Sequence, residues 1–88
     1  MKSTIIIKDA EVSSTLEYSE KRLQESVPDD GTRETIVGLA MIEIESHPDE
    51  ELYKRCNRAI RALYIDCGVR GHITVQAVSL ARARLRLW

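Results

Sequence analysis

The chain has 88 residues, 43% of them hydrophobic and 31% charged, with a formal charge of −1 at pH 7. That length supports one domain spanning residues 1–88, and the hydrophobic share excludes a disordered chain. Four glycines and two prolines exclude a collagen-like or low-complexity chain, two cysteines exclude a disulfide scaffold, and no apolar run approaches the 18 or so residues of a membrane span.

The small net charge conceals a large separation. Residues 1–52 carry five basic and thirteen acidic side chains, net −8, whereas residues 53–88 carry eight basic ones and only Asp66, net +7. Such asymmetry suits a polyanion-binding end, an acidic end that faces a partner, or attraction between subunits, so a homo-oligomer is expected. Mutual neutralisation inside one small domain is the bland alternative.

At the N-terminus, Ile5-Ile6-Ile7 is too short for the apolar core of a secretory signal, which runs roughly 7–15 residues. A cytosolic protein with reduced cysteines is expected. Thr4–Lys8 is rich in β-branched residues and predicts a short strand. Ser14 with Glu17 three residues later fits a capping box. Val12, Leu16, Leu23 and Val27 then form a thin helical stripe. Pro28-Asp29-Asp30-Gly31 ends that helix with turn chemistry.

Residues 33–46 can be read two ways. Leu39, Ala40 and Met41 favour a helix. Thr35, Ile36, Val37, Ile42 and Ile44 are β-branched, and Gly38 weakens a helix. Ile36, Gly38, Ala40, Ile42 and Ile44 fall on one side with Glu43 and Glu45 on the other, a period of two that predicts a strand.

The next helix is the clearest element. Pro48 suits a first turn and Asp49, Glu50 and Glu51 complement the helix dipole. Leu52, Tyr53, Cys56, Ala59, Ile60, Leu63, Tyr64 and Cys67 recur at helical spacing as one apolar face, and Gly68 is the expected stop. Lys54, Arg55, Arg58 and Arg61 fall elsewhere on the surface. Cys56 and Cys67, eleven residues apart on one helix, lie too far apart for a disulfide.

From Ile73 to Trp88, small or apolar residues alternate with His72, Thr74, Gln76, Arg82, Arg84 and Arg86. That alternation predicts a long strand broken near Ser79-Leu80. A helix with Val78, Ala81, Leu85 and Trp88 on one face is the competing reading, a loose helix-turn-helix after Gly68. No run matches that motif without a shift of one position. The expected fold is therefore α+β: a two-layer domain of order β-α-β-α-β-β, with two helices on one face of a three- or four-stranded sheet. A mostly helical chain with a single N-terminal strand is the alternative.

Signatures of chemistry are absent. There is no phosphate-binding glycine loop, no His-Glu-x-x-His and no Gly-x-Ser-x-Gly. Cys67 with His72 is too sparse for a zinc site, and Asp66 with His72 lacks a nucleophile to activate. No enzymatic activity, metal or cofactor is expected. On a strand, Arg82, Arg84 and Arg86 would form one row of guanidinium forks, with Trp88 on the same face for stacking. With Lys54, Arg55, Arg58 and Arg61 they make the candidate anion- or nucleic-acid-binding set. The expected role is a small nucleic-acid-associated or regulatory module. The alternative is a phage- or plasmid-type accessory protein that binds or inhibits a protein partner through Asp9, Glu11, Glu17, Glu20, Glu25, Asp29 and Asp30.

Overall fold

The computed structural model describes residues 9–87, and within the first helix the side chains of residues 9–13 and 15 lie outside the description. Four helices follow one another: α1 (Asp9–Ser26), α2 (Asp30–Glu45), α3 (Leu52–Arg61) and α4 (Gly71–Arg84). A π-helical turn, Ala62–Asp66, extends α3. No strand occurs among the described residues, so the α+β sheet architecture is corrected to a helical bundle. The strand expected at Thr4–Lys8 lies outside the described residues.

Helix α1 starts before the expected capping box, so Ser14 and Glu17 lie within it. Of its expected inner stripe, Leu23 and Val27 are buried and Leu16 packs against the core, while the side chain of Val12 lies outside the description. Chain direction then reverses at Val27-Pro28-Asp29. Asp29 is the N-cap of α2, its Oδ2 accepting from the Thr32 amide at 2.8 Å and the Thr32 hydroxyl at 2.7 Å.

Residues 33–46 are helical rather than extended, apart from Ser46 at the C-cap. Two periods compete in that segment, and they share Ala40 and Ile44. Burial follows Val37, Ala40 and Ile44, spaced three and four apart, with Ile36 and Met41 beside them. Ile42, which the period of two placed inside, is 61% exposed. A β-branched residue lowers helix propensity by only tenths of a kcal/mol, so a capped helix with a buried stripe overrides it.

Residues 73–84 are also helical, where alternation predicted a strand. Helix α4 packs against α1, α2 and α3. Thr74, Ala77, Val78, Leu80, Ala81 and Ala83 are buried around it. A helix covered on several sides has no single polar face, so the helical period disappears from its sequence. The small side chains of Ala77, Ala81 and Ala83 let neighbouring helices approach. Buried Thr74 resolves its hydroxyl locally, donating to the Arg70 carbonyl at 3.0 Å.

The helix expected from Pro48 begins four residues later, at Leu52. Near its end the backbone widens, with the Cys67 amide bonding to the Ala62 carbonyl at 3.3 Å. Leu63 is buried, but Tyr64 and Cys67, read as part of the apolar face, are exposed. Gly68 is the stop, with φ 68°. The core joins Leu23 of α1 and Val27 just beyond it to Val37, Ala40 and Ile44 of α2. Ala59, Leu63 and the inner residues of α4 complete it.

Candidate nucleic-acid interface

The three C-terminal arginines do not form a row. Consecutive even positions on a helix diverge by roughly 200°, and each guanidinium has a different local role. Arg82 donates from Nε to the Leu87 carbonyl at 2.8 Å. Arg84 reaches Glu34 with Nη1 at 2.8 Å and Nη2 at 2.9 Å, and Glu20 with Nη2 at 2.9 Å. It thereby ties α4 to α2 and α1, and its hydrogen bonds hold the Glu34 carboxyl below its ordinary range. Arg86 is exposed with φ 56°. Its amide bonds to the Ala83 carbonyl at 3.0 Å while the Leu87 amide bonds to the Arg82 carbonyl at 3.1 Å. This pair is a Schellman termination, with Arg86 at the position glycine usually takes. Trp88 lies outside the described residues.

The helix residues divide as well. Arg55 turns inward, donating from Nε to the Ile44 carbonyl at 2.8 Å and so satisfying an open carbonyl at the end of α2. Lys54, Arg58 and Arg61, at steps of four and three, share a face with Asn57. These four side chains, with Ala62, Ile65 and Asp66 beyond them, form one wall of a cleft of about 710 Å³. Glu43 of α2 and His47 of the α2–α3 connection form the other wall. None of Arg82, Arg84 and Arg86 lines it. Of the eight expected residues the structure therefore brings together Lys54, Arg58 and Arg61 and places Arg55, Arg82, Arg84 and Arg86 away from the cleft, while Trp88 lies outside the described residues.

Charge in the cleft is partly answered from within. Arg58 holds Glu50 with Nη2 at 2.6 and 2.7 Å from the two carboxylate oxygens. That hydrogen bonding lowers the Glu50 carboxyl from its ordinary value. Among the described residues, Lys54 and Arg61 have no carboxylate within ion-pair distance, and both are exposed. Two cations about two turns apart on one helical face, with an amide between them, make a surface suited to phosphate or carboxylate groups spaced along a chain.

Asn57, Glu43 and His47 were not singled out as binding residues by sequence reasoning. Glu43 and His47 come from a different element, and only packing places them opposite α3. Asn57 carried a signal: it lies one turn from both Tyr53 and Arg61 on the polar side of the clearest helix.

Several acidic residues of the first half are engaged. Glu20 and Glu34 meet Arg84, Asp30 pairs with Arg33, and Asp29 caps α2. Glu17 and Glu25 are exposed. Asp9 and Glu11 belong to α1, but their side chains lie outside the description. A second, smaller groove of about 180 Å³ runs between α1 and α4 and includes Tyr18, Arg22 and Gln76. It shares no residue with the α3 cleft. Among the described residues, no three His, Cys, Asp or Glu side chains cluster as metal ligands, and no helix is long and apolar enough to cross a membrane. No protein-family model, curated protein or solved structure matches this chain.

Proposed function

We propose that the protein is a small nucleic-acid-binding module that grips phosphates with Lys54, Arg58 and Arg61 along the α3 cleft. The observation that carries this reading is the alignment of those three cations on one wall, two of them without a carboxylate partner among the described residues. The cleft is lined mainly by charged and amide groups. That chemistry favours a charged chain laid along it over an apolar small molecule. Asn57 adds a neutral donor and acceptor beside the cations, able to bond to sugar or base edges. Arg82, Arg84 and Arg86 act chiefly through the fold on this reading, and a cytosolic setting accompanies it.

Fluorescence anisotropy with a labelled oligonucleotide, measured over a range of salt, tests the proposal. Binding should weaken linearly in log salt, and a Lys54→Ala/Arg61→Ala protein should lose affinity and show a shallower slope, by about 0.7–0.9 for each phosphate contact removed. Equal affinity and slope in the wild type and this variant would refute it. Glu17 and Glu25, exposed on α1, leave a protein partner as the second reading. Capture of a basic protein by wild type, lost in a Glu17→Gln/Glu25→Gln variant, would favour it over nucleic acid.

A further inference from the structure

Tyr53 and Tyr64 belong by sequence to the buried face of α3, yet they are 59% and 58% exposed. Tyr53 stands one turn before Asn57, and Tyr64 lies within the π turn just after Arg61. By helical geometry both project from the same side of the Lys54–Arg58–Arg61 line, on its Asn57 flank. Eleven residues separate them, roughly 16 Å along the helix at 1.5 Å per residue. Two exposed aromatic rings, neither of them lining the cleft itself, thus flank a line of cations.

Helical spacing alone puts Tyr64 within about 20° of Tyr53, on the exposed flank of the helix. Its ring lies over the start of α4, with Cε1 4.0 Å from where a Cβ on Gly71 would stand. Arg70, the residue before Gly71 and the N-cap of α4, is exposed and has no ion-pair partner among the described residues. The aromatic stripe therefore has the cations Lys54, Arg58 and Arg61 along one flank.

We infer that the ligand is single-stranded nucleic acid, with unpaired bases stacked on Tyr53 and Tyr64 while the backbone follows the cations of α3. This inference rests on the phosphate-binding reading above and adds the strandedness of the ligand. In a duplex the base faces are already stacked on one another and only edges and phosphates are open. A single strand offers π-faces to exposed aromatic rings, and stacking there is tolerant of sequence. A concave wall also accepts a flexible strand more readily than a rigid duplex, which takes protruding helices into its groove.

Anisotropy titrations of a labelled single strand and of a duplex of the same length, at low salt, test the inference. Wild type should prefer the single strand. Tyr53→Ala and Tyr64→Ala should each weaken single-strand binding about fivefold or more and leave the salt slope unchanged. Tyr53→Phe and Tyr64→Phe, which keep the ring, should bind like wild type. Both tyrosines are mostly exposed, and circular dichroism of each variant confirms that it remains folded. If the alanine variants bind as wild type does while Lys54→Ala/Arg61→Ala is weakened, phosphate binding stands and the single-strand inference falls. If the tyrosine substitutions change the sedimentation of the free protein and not its oligonucleotide affinity, the rings serve self-association and the inference is overturned. If neither oligonucleotide binds wild type, the phosphate-binding reading fails and this inference fails with it.

Discussion

Arg84 offers the sharpest test of how the basic half is used. Replacing it with methionine keeps an unbranched apolar stem and removes the guanidinium. Three charge-assisted hydrogen bonds are lost, at 2.8, 2.9 and 2.9 Å, and they are the ones that join residues 50 and 64 positions apart. The Arg84 side chain is 25% exposed, while Glu34 and Glu20 are 54% and 52% exposed, so water screens the carboxylates. Isolated exposed pairs contribute about 0.2–1 kcal/mol each. Bidentate geometry on Glu34 and a second carboxylate place this cluster near the top of that range for each pair, about 1–2 kcal/mol in total. Removing the cation also leaves Glu20 and Glu34 to repel each other.

Urea unfolding should show Arg84→Met with a lower midpoint and an unchanged slope. Thermal unfolding should move down by about 4–8 °C per kcal/mol for a domain of this size. A double-mutant cycle with Glu34→Gln isolates the pair, and the coupling should shrink at high salt. Oligonucleotide affinity should stay close to that of wild type. An unchanged unfolding midpoint together with weakened oligonucleotide binding would refute this reasoning, because the guanidinium would then belong to the ligand surface.

Glycine geometry supplies a matched pair of predictions. Gly38→Ala, in the interior of α2 with nothing within 4 Å of the new Cβ, should stabilise by about 0.5–1 kcal/mol, whereas Gly68→Ala, at φ 68°, should destabilise by about 1 kcal/mol; urea midpoints decide both. Arg86→Gly relieves a left-handed arginine, a strain of about 1–2 kcal/mol, against about 0.5–1 kcal/mol of extra glycine entropy, so calorimetry should show a small net gain in stability. Stability should also decline in acid. Asp29 is held low by hydrogen bonds from Thr32, Glu34 by those from Arg84 and Glu50 by those from Arg58. Because the folded values lie below the ordinary 3.8 and 4.5, the unfolded chain binds more protons in this window. The contribution is complete above the ordinary values and disappears as pH falls through the lowered ones. Urea midpoints measured across this range should therefore fall toward low pH, less so in Arg84→Met, and a flat profile would contradict the assignment.

What sequence alone determined is the local, short-range part of the protein. The break at Pro28-Asp29, the stripe of Leu16, Leu23 and Val27, the amphipathic α3 and the stop at Gly68 all follow from side-chain spacing or from dihedral preference, although Asp30 and Gly31 already belong to α2. The cationic line of Lys54, Arg58 and Arg61 was legible for the same reason, since residues three and four apart on a helix share a face. Tertiary structure decided the rest. Residues 33–46 and 73–84 carry apolar positions compatible with two periods, and burial chose the helical one in both. For α4 the cause is centrality: three neighbouring helices cover it, which erases the polar face that would have marked it as a helix. The roles of Arg55 and Arg84 were equally hidden. Their partners, Ile44, Glu34 and Glu20, are distant in sequence, and only the packing of α1, α2 and α4 brings an arginine within hydrogen-bonding distance of them. Tyr53 and Tyr64 sit at the margin of the apolar stripe centred on Ala59 and Leu63, and how far the neighbouring helices reach decides that both rings are exposed.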